Sequence, residues 1–325
     1  MGRGVTPHKT IQMRKSDTEQ IETEERGNIM LSRIFLLLSS LLVVVINIIY
    51  PTVWYTSLKF FQFVWWLRGK ELPRTYTDKF ATAWGLLQIG AAFPVNRTKI
   101  RMEVSEKAKA YEGPMLVMMN HQSTFDIAAA YYTLWKLGRN LRWVLKKELL
   151  KVPAIGTACY ETKCAFVDRT DRKKAEEELL RFSKQIEEDG VSAVIFVEGT
   201  RATPKKMEKS DYRYQLNPKP MGISILHEQL PHWPILSVTL DWVGKTGTTI
   251  FNTSIWGATL RIDCQLFMPD EIPADHDGFV KWLFEVDWPR REALIESWRL
   301  EAGLLPAATA QGNKAPAEAS EMHRA

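Results

Sequence analysis

At 325 residues the chain holds one large domain or two small ones, and its 45% hydrophobic and 25% charged content is that of a globular protein. The formal net charge of +5 is a mild excess that gives no argument for nucleic acid as a partner. Three sparse cysteines, Cys159, Cys164 and Cys264, make neither a disulfide framework nor a zinc-ligand set, so free thiols in a reducing compartment are expected.

Residues 1–33 are polar, with Glu19, Glu22, Glu24 and Glu25 set against Arg14, Lys15, Arg26 and Arg33. They do not have the make-up of a secretory signal and read as a disordered cytosolic tail with partial helix. Residues 34–68 read as a membrane anchor. Ile34 to Leu58 is 25 residues without a charge, divided by Pro51. A helix ending at Tyr50 is roughly 25 Å long, and one continued past Pro51 reaches about 37 Å, against a hydrocarbon core of about 30 Å. Beyond Pro51 come Trp54, Tyr55, Phe60, Phe61, Phe63, Trp65 and Trp66, rings that favour the headgroup level. Two arrangements fit: one spanning helix, or two helices broken at Pro51 that lie in one leaflet. Arg26 and Arg33 on one flank and Lys59, Arg68, Lys70 and Arg74 on the other leave orientation open.

Residues 75–302 have an α/β pattern. Apolar strand candidates are Met115–Met119, Arg142–Leu145, Val191–Val197, Ile235–Leu240 and Arg261–Phe267. The clearest helix is Asp171 to Asp189, with Ala175, Leu179, Phe182 and Ile186 at helical spacing, Thr170 as N-cap and Gly190 as its stop. Another runs from Ile127 to Leu137. A last helical stretch, Gly278 to Ala302, is expected to break or kink at Asp287-Trp288-Pro289. The alternation predicts a central mixed sheet covered by helices, behind an anchoring helix or two-helix motif. Residues 303–325, rich in Ala, Gly and Pro, read as a disordered tail. Charge is uneven: Arg139–Lys174 holds ten Lys or Arg against four acids, and Gly199–Gly222 six against two. Such basic stretches around candidate site residues suit an anionic ligand.

The stretch Asn120-His121-Gln122-Ser123-Thr124-Phe125-Asp126 follows the Met115–Met119 strand. His121 should emerge at that strand's carboxyl end, where ligand sites of open α/β sheets gather. A turn through Gln122-Ser123-Thr124 can return the Asp126 carboxylate to one ring nitrogen, fixing the tautomer and leaving the other nitrogen as a general base. Ser123 is the nearest hydroxyl, but no G-x-S-x-G elbow surrounds it. A dyad without an enzyme nucleophile suggests that the substrate supplies the hydroxyl.

The pattern N-H-x-x-x-x-D resembles the first signature of the glycerolipid acyltransferase superfamily, the lysophosphatidic-acid-acyltransferase-like enzymes. Phe196-Val197-Glu198-Gly199-Thr200-Arg201 resembles its F-P-E-G-T-R signature, with valine in the proline position. Between them, Lys146-Lys147-Glu148-Leu149 through Pro153 and Gly156 to Phe166-Val167-Asp168-Arg169 is similar to the second signature, although Lys163-Cys164-Ala165 stands where the family often has a glycine. His232-Trp233-Pro234-Ile235-Leu236-Ser237-Val238 corresponds loosely to the fourth, and Lys219 and Gly222 to the lysine-glycine segment after the third. The signatures keep the family's order over residues 115 to 240, with about 75 residues between first and third. The L-K-x-E-L-L-x-V-P segment and the valine look most like the lysocardiolipin- and lysophosphatidylinositol-acyltransferase-like branch, including bacterial members.

The resemblance implies that His121 deprotonates a lysophospholipid hydroxyl, that Asp126 orients it, and that the hydroxyl attacks the thioester of acyl-CoA or acyl-carrier protein. Glu198, Gly199, Thr200, Arg201 and Arg169 would bind the acceptor phosphate. Asn120, Lys146, Lys219 and Pro234 are further candidates. No metal or bound cofactor is expected, and no nucleic acid. The expected acceptor is 1-acylglycerol-3-phosphate or a related lysolipid. The expected location is a bacterial inner membrane with the site facing the cytoplasm, or an endoplasmic-reticulum membrane. A thioesterase or phospholipase using the same dyad with water, and a non-catalytic lipid-binding protein, stay open as alternatives.

Overall fold

The computed structural model describes residues 15–73, 75–152, 155–243, 255 and 257–305. Residues 1–14 and 306–325 of the two expected tails lie outside these, as does Pro153 of the second signature, whereas residues 15–33 form the start of a helix.

The chain begins with α1 (Lys15–Trp66), a single helix that contains Pro51. Of the two arrangements, the one broken at Pro51 is therefore not found. A proline costs one helical N–H, and hydroxyls just past it bond back to the preceding turn: Thr52 Oγ1 donates to Ile48 O at 2.6 Å and Thr56 Oγ1 to Thr52 O at 2.9 Å. The chain reverses instead after residues 67–73, and α2 (Thr75–Val95) returns antiparallel to α1. Trp54 meets Phe80, and Phe61 meets Tyr76 edge-on at 5.4 Å. Trp54 and Leu58 are buried in this pairing, while Leu37, Leu41, Ile48, Val53, Phe63 and Trp66 stay exposed. Ser40–Trp66 is long and apolar enough to cross a membrane.

Seven strands follow: β1 (Lys99–Val104), β2 (Leu116–Met119), β3 (Leu141–Lys146), β4 (Ala165–Val167), β5 (Ser192–Phe196), β6 (Ile235–Val243) and β7 (Thr259–Phe267). They form one sheet in the order β1-β7-β6-β2-β5-β3-β4. Strands β6, β2, β5, β3 and β4 are mutually parallel, β7 is antiparallel to β6, and β1 is parallel to β7, which makes the sheet mixed. The sequence pattern had no signal for β1 or the three-residue β4. Alternation sends Met115, Val117 and Met119 to one apolar layer and Leu116 and Met118 to the other. Burial on both faces is why these strands read as unbroken apolar runs.

The helices are α3 (Glu106–Ala110), α4 (Asp126–Lys136), α5 (Ile155–Glu161), α6 (Arg172–Asp189), α7 (Pro204–Met207), α8 (Met221–Gln229), α9 (His276–Trp282) and α10 (Trp288–Glu301). The N-cap of α6 is Asp171, one residue later than expected, because its carboxylate accepts the Lys174 N–H at 3.1 Å; Gly190 ends the helix in the left-handed region. The expected break at Asp287-Trp288-Pro289 is also absent. A π-helical turn, Leu283–Asp287, carries the chain from α9 into α10, and Pro289 falls in the first turn of α10, where no N–H is needed.

That π turn places Asp287 and Arg291, both fully buried, beneath the sheet. Arg291 donates to Asp287 Oδ2 at 2.7 Å, to Val238 O at 2.8 Å and to Met118 O at 3.1 Å. Asp287 also accepts from Ser237 Oγ at 2.6 Å. Asp287→Ala strands a buried guanidinium and should cost about 3–5 kcal/mol, read as a lowered unfolding midpoint in denaturant.

Glu292, one residue on, ties α10 to the loop before α8. Its Oε1 accepts the N–H groups of Arg213 at 2.6 Å and Tyr214 at 2.9 Å. Burial pushes its carboxyl up from 4.5 to about 7. Its contribution to stability is complete below about 4.5 and is lost as pH rises through about 7. Glu292→Gln keeps the single accepting oxygen. Unfolding midpoints measured from pH 4.5 to 8 should therefore fall less steeply in this variant than in the wild type.

Candidate active site

Five parallel strands bring their carboxyl ends to one edge of the sheet: Asn120 after β2, Lys146 at the end of β3, Asp168 after β4, Val197 after β5 and Trp242 near the end of β6. Loops leaving this edge carry the candidate residues.

Asn120 is buried and extends the β2–β6 ladder with its side chain. Its amide donates to Leu240 O and accepts from Leu240 N, both at 2.8 Å. This stitch fixes where His121 leaves the sheet. The next residues turn back so that Asp126, the first residue of α4, closes on the ring: His121 Nδ1 lies 2.9 Å from Asp126 Oδ2. The same oxygen accepts the N–H groups of Gln122 at 2.6 Å and Ser123 at 2.7 Å. Oδ1 accepts the Trp242 indole N–H at 2.8 Å. The carboxylate is fully buried, and the His121 side chain keeps 13% of its surface exposed. Phe196 stacks on the imidazole at 3.9 Å with a 7° tilt. With Nδ1 engaged by the carboxylate, Nε2 is left to exchange a proton. Ser123 is not placed for nucleophilic work. It is buried, and its Oγ accepts the Phe125 N–H at 3.2 Å.

Glu198 departs from the expectation that it faces the acceptor. It is fully buried and points inward. Its Oε2 accepts the His121 N–H at 2.7 Å and its Oε1 the Leu216 N–H at 2.9 Å. Burial is the larger influence and pushes its carboxyl up to about 8, against the pull of these two N–H groups. Glu198 thus fastens the histidine's backbone to β5 and to the loop before α8.

Gly199 has a φ of +69°, and a side chain there would lie 3.2 Å from Lys219 Cδ and 3.4 Å from Arg169 Nη1. The left-handed backbone favours glycine here, and a side chain would also press on these two flexible cations. Arg169 donates to Gly199 O, and Lys219 N to Val197 O at 2.8 Å. Arg201 turns toward the histidine loop and donates to Thr124 Oγ1 at 2.5 Å. Lys206 on α7, which the sequence reading did not single out, donates to Thr200 Oγ1 at 2.5 Å. Arg169, Arg201, Lys206 and Lys219 therefore surround Gly199-Thr200-Arg201 and can hold a phosphate by several N–H donors. Exposed Lys146 pairs in register with Val167, two residues before Arg169.

Pro234 does not belong to this group. Its carbonyl accepts the Leu116 N–H at 3.0 Å, at the amino ends of β6 and β2, so it lies at the opposite edge of the sheet from His121. Its apolar strand was recognisable, but the direction of that strand was not. In the second signature, where the glycine is missing, Lys163 takes the left-handed conformation, with φ at 58°. Gly156 is needed where it stands, since a Cβ would lie 2.2 Å from Leu150 O. Among the described residues no group of three or more His, Cys, Asp or Glu could hold a metal ion. The sequence reading missed Trp242 and the stacking of Phe196. Trp242 lies just past the recognised strand candidate, and nothing local links it to Asp126.

Residues 99–238 match the family model described as Acyltransferase. The chain is 37% identical over 99 residues to the 1-acyl-sn-glycerol-3-phosphate acyltransferase of Helicobacter pylori, covering 30% of this chain and 39% of that protein. It is 30% identical over 152 residues to the Pseudomonas aeruginosa protein of the same name, covering 46% and 56%. The chain thus spans between about two fifths and just over half the length of these relatives. In fold it is similar to the crystal structure of the 1-acyl-sn-glycerophosphate acyltransferase PlsC from Thermotoga maritima, with a TM-score of 0.55 at 21% identity over 81% of this chain and 97% of that one. In its mixed, helix-covered sheet, in the order of the signatures along it and in these matches, the chain is similar to the glycerolipid acyltransferases over residues 99–238.

Proposed function

We propose that the protein is a membrane-bound O-acyltransferase that moves a fatty acyl chain from an acyl thioester to the free hydroxyl of a lysophospholipid. The observation that carries this reading is a histidine oriented by a fully buried aspartate, with cations around the neighbouring glycine loop and the nearest serine turned inward. In this reading His121 Nε2 takes the proton of the acceptor hydroxyl as its oxygen attacks the thioester carbonyl. Asp126 stabilises the imidazolium that forms. The tetrahedral oxyanion is met by backbone N–H donors, and its collapse expels the thiolate, which recovers the proton from His121.

Arg201, Arg169, Lys206 and Lys219 hold the acceptor's phosphate over Gly199, and Thr200 lines the same loop. Glu198 acts through the backbone of His121 rather than on the acceptor. The names of the Helicobacter and Pseudomonas relatives support 1-acylglycerol-3-phosphate as the first acceptor to try. The donor is acyl-CoA or acyl-carrier protein, a co-substrate rather than a resident cofactor. The exposed apolar face of α1 supports attachment to the membrane that holds both lipids. The three free thiols fit a site on its reducing, cytoplasmic side.

Purified protein with oleoyl-CoA and a thiol reagent should release thiol only when a lysophospholipid is added. His121→Ala should lower that release at least about 100-fold while expression is unchanged. Release without acceptor would instead make the protein a hydrolase. Alkaline carbonate washing should leave the protein in the membrane pellet, and its appearance in the supernatant would rule out a spanning α1.

A further inference from the structure

Asp126 uses its two oxygens unequally. Oδ2 has three donors, the His121 ring and the N–H groups of Gln122 and Ser123. Oδ1 has one among the described residues, the Trp242 indole N–H at 2.8 Å. Without it, a fully buried carboxylate oxygen has no donor, a state that costs enough to rotate or protonate the group. The indole is itself locked. Its ring meets Phe93 at 5.7 Å and Phe125 at 6.3 Å, and its backbone N–H donates to Gln122 Oε1 at 3.3 Å. This fold does not pair every buried indole: among the described residues the N–H groups of Trp54 and Trp84 have no hydrogen-bond partner. That of Trp242 is aimed at the carboxylate that bonds the His121 ring.

We propose that Trp242 is a positioning residue of the dyad: its indole N–H holds Asp126 Oδ1 so that Oδ2 stays in line with His121 Nδ1 and keeps the ring proton on that nitrogen. A core tryptophan that only fills space would be replaceable by another ring of like size. A donor would not be. The kinetic part of this inference rests on the acyl-transfer reading, and the structural part stands without it.

The test compares the wild type with Trp242→Phe and with benzothienylalanine incorporated at position 242, which exchanges the N–H for sulfur at nearly constant shape. In protein labelled with ¹⁵N-histidine, the His121 ring signals should report the proton on Nδ1 in the wild type and a shift toward Nε2 in both variants. Acyl transfer should lose about 10- to 100-fold in kcat with KM for the lysolipid little changed. In an Asp126→Asn background the same replacement should cost far less, because the two groups act as a unit. If Trp242→Phe does not fold, the isosteric variant decides. An unchanged His121 tautomer overturns the proposal, as does a kcat loss that multiplies in full on Asp126→Asn. If the wild type transfers no acyl group, the acyl-transfer reading falls and the ring signals still decide the role of Trp242.

Discussion

A carboxylate cut off from water must be surrounded by donors or cease to be charged. Asp126 meets that constraint with three N–H groups in addition to the His121 ring, and the rest of the site follows from how they are supplied. Two come from the backbone of Gln122 and Ser123, so the turn of NHQSTFD is set by the anion at its end. One comes from Trp242 on a neighbouring strand, so the turn is also fastened to the sheet. The histidine accordingly sits on a rigid framework although it leaves the end of a strand, where loops are usually the most mobile part of a fold.

A second buried carboxylate does the same for the backbone. Glu198 spends one oxygen on the His121 N–H and the other on the Leu216 N–H. An amide has a single accepting oxygen and cannot replace it, unlike at Glu292, where both N–H groups converge on one oxygen. The motif glutamate thus lies behind the histidine loop, while Gly199 beside it sits against Arg169 and Lys219 and Arg201 turns toward Thr124. Burial strains it toward protonation, and the nearby buried Arg291 partly offsets this. Arg291 in turn holds the carbonyls of Met118 and Val238, on the two strands that flank the dyad's exit from the sheet.

Those parts of this arrangement that rest on local chemistry were legible in the sequence. The buried strands announced themselves as apolar runs, α6 by its spacing and its glycine stop, and the dyad by a histidine and an aspartate with four residues between them. Features that rest on tertiary partners were not legible. Strand β1 alternates Lys99, Arg101 and Glu103 with half-buried residues, so its charge masked it. Helix α2 is apolar on all sides and carries Gly85, Gly90 and Pro94, which blur any helical period. Helix α1 runs through Pro51, one of the two arrangements its sequence left open, and the break or kink expected at Asp287-Trp288-Pro289 is taken up by a π turn, with Pro289 in the first turn of α10. Glu198 was recognised as a motif residue, but its direction depends on backbone N–H groups on two other segments.

Helix α2 is the element that joins the two halves of the molecule. Near its start, Asp78 lies 3.6 Å from Arg142 at the amino end of β3. Near its end, Phe93 packs edge-on against Phe125 and Trp242 at the carboxyl edge of the sheet. It therefore runs the depth of the sheet, and α1 lies antiparallel against it. The packing of α1 on α2, and of α2 on the sheet, holds the apolar face of α1 at a set height relative to the His121–Asp126 pair. Under the acyl-transfer reading this matters directly. The acceptor hydroxyl of a lysolipid sits at a set depth below the headgroups, and a base on a loose tether would sample that depth only part of the time. A base fixed through Phe93 and Trp242 to the helix pair stays at the level where the hydroxyl arrives.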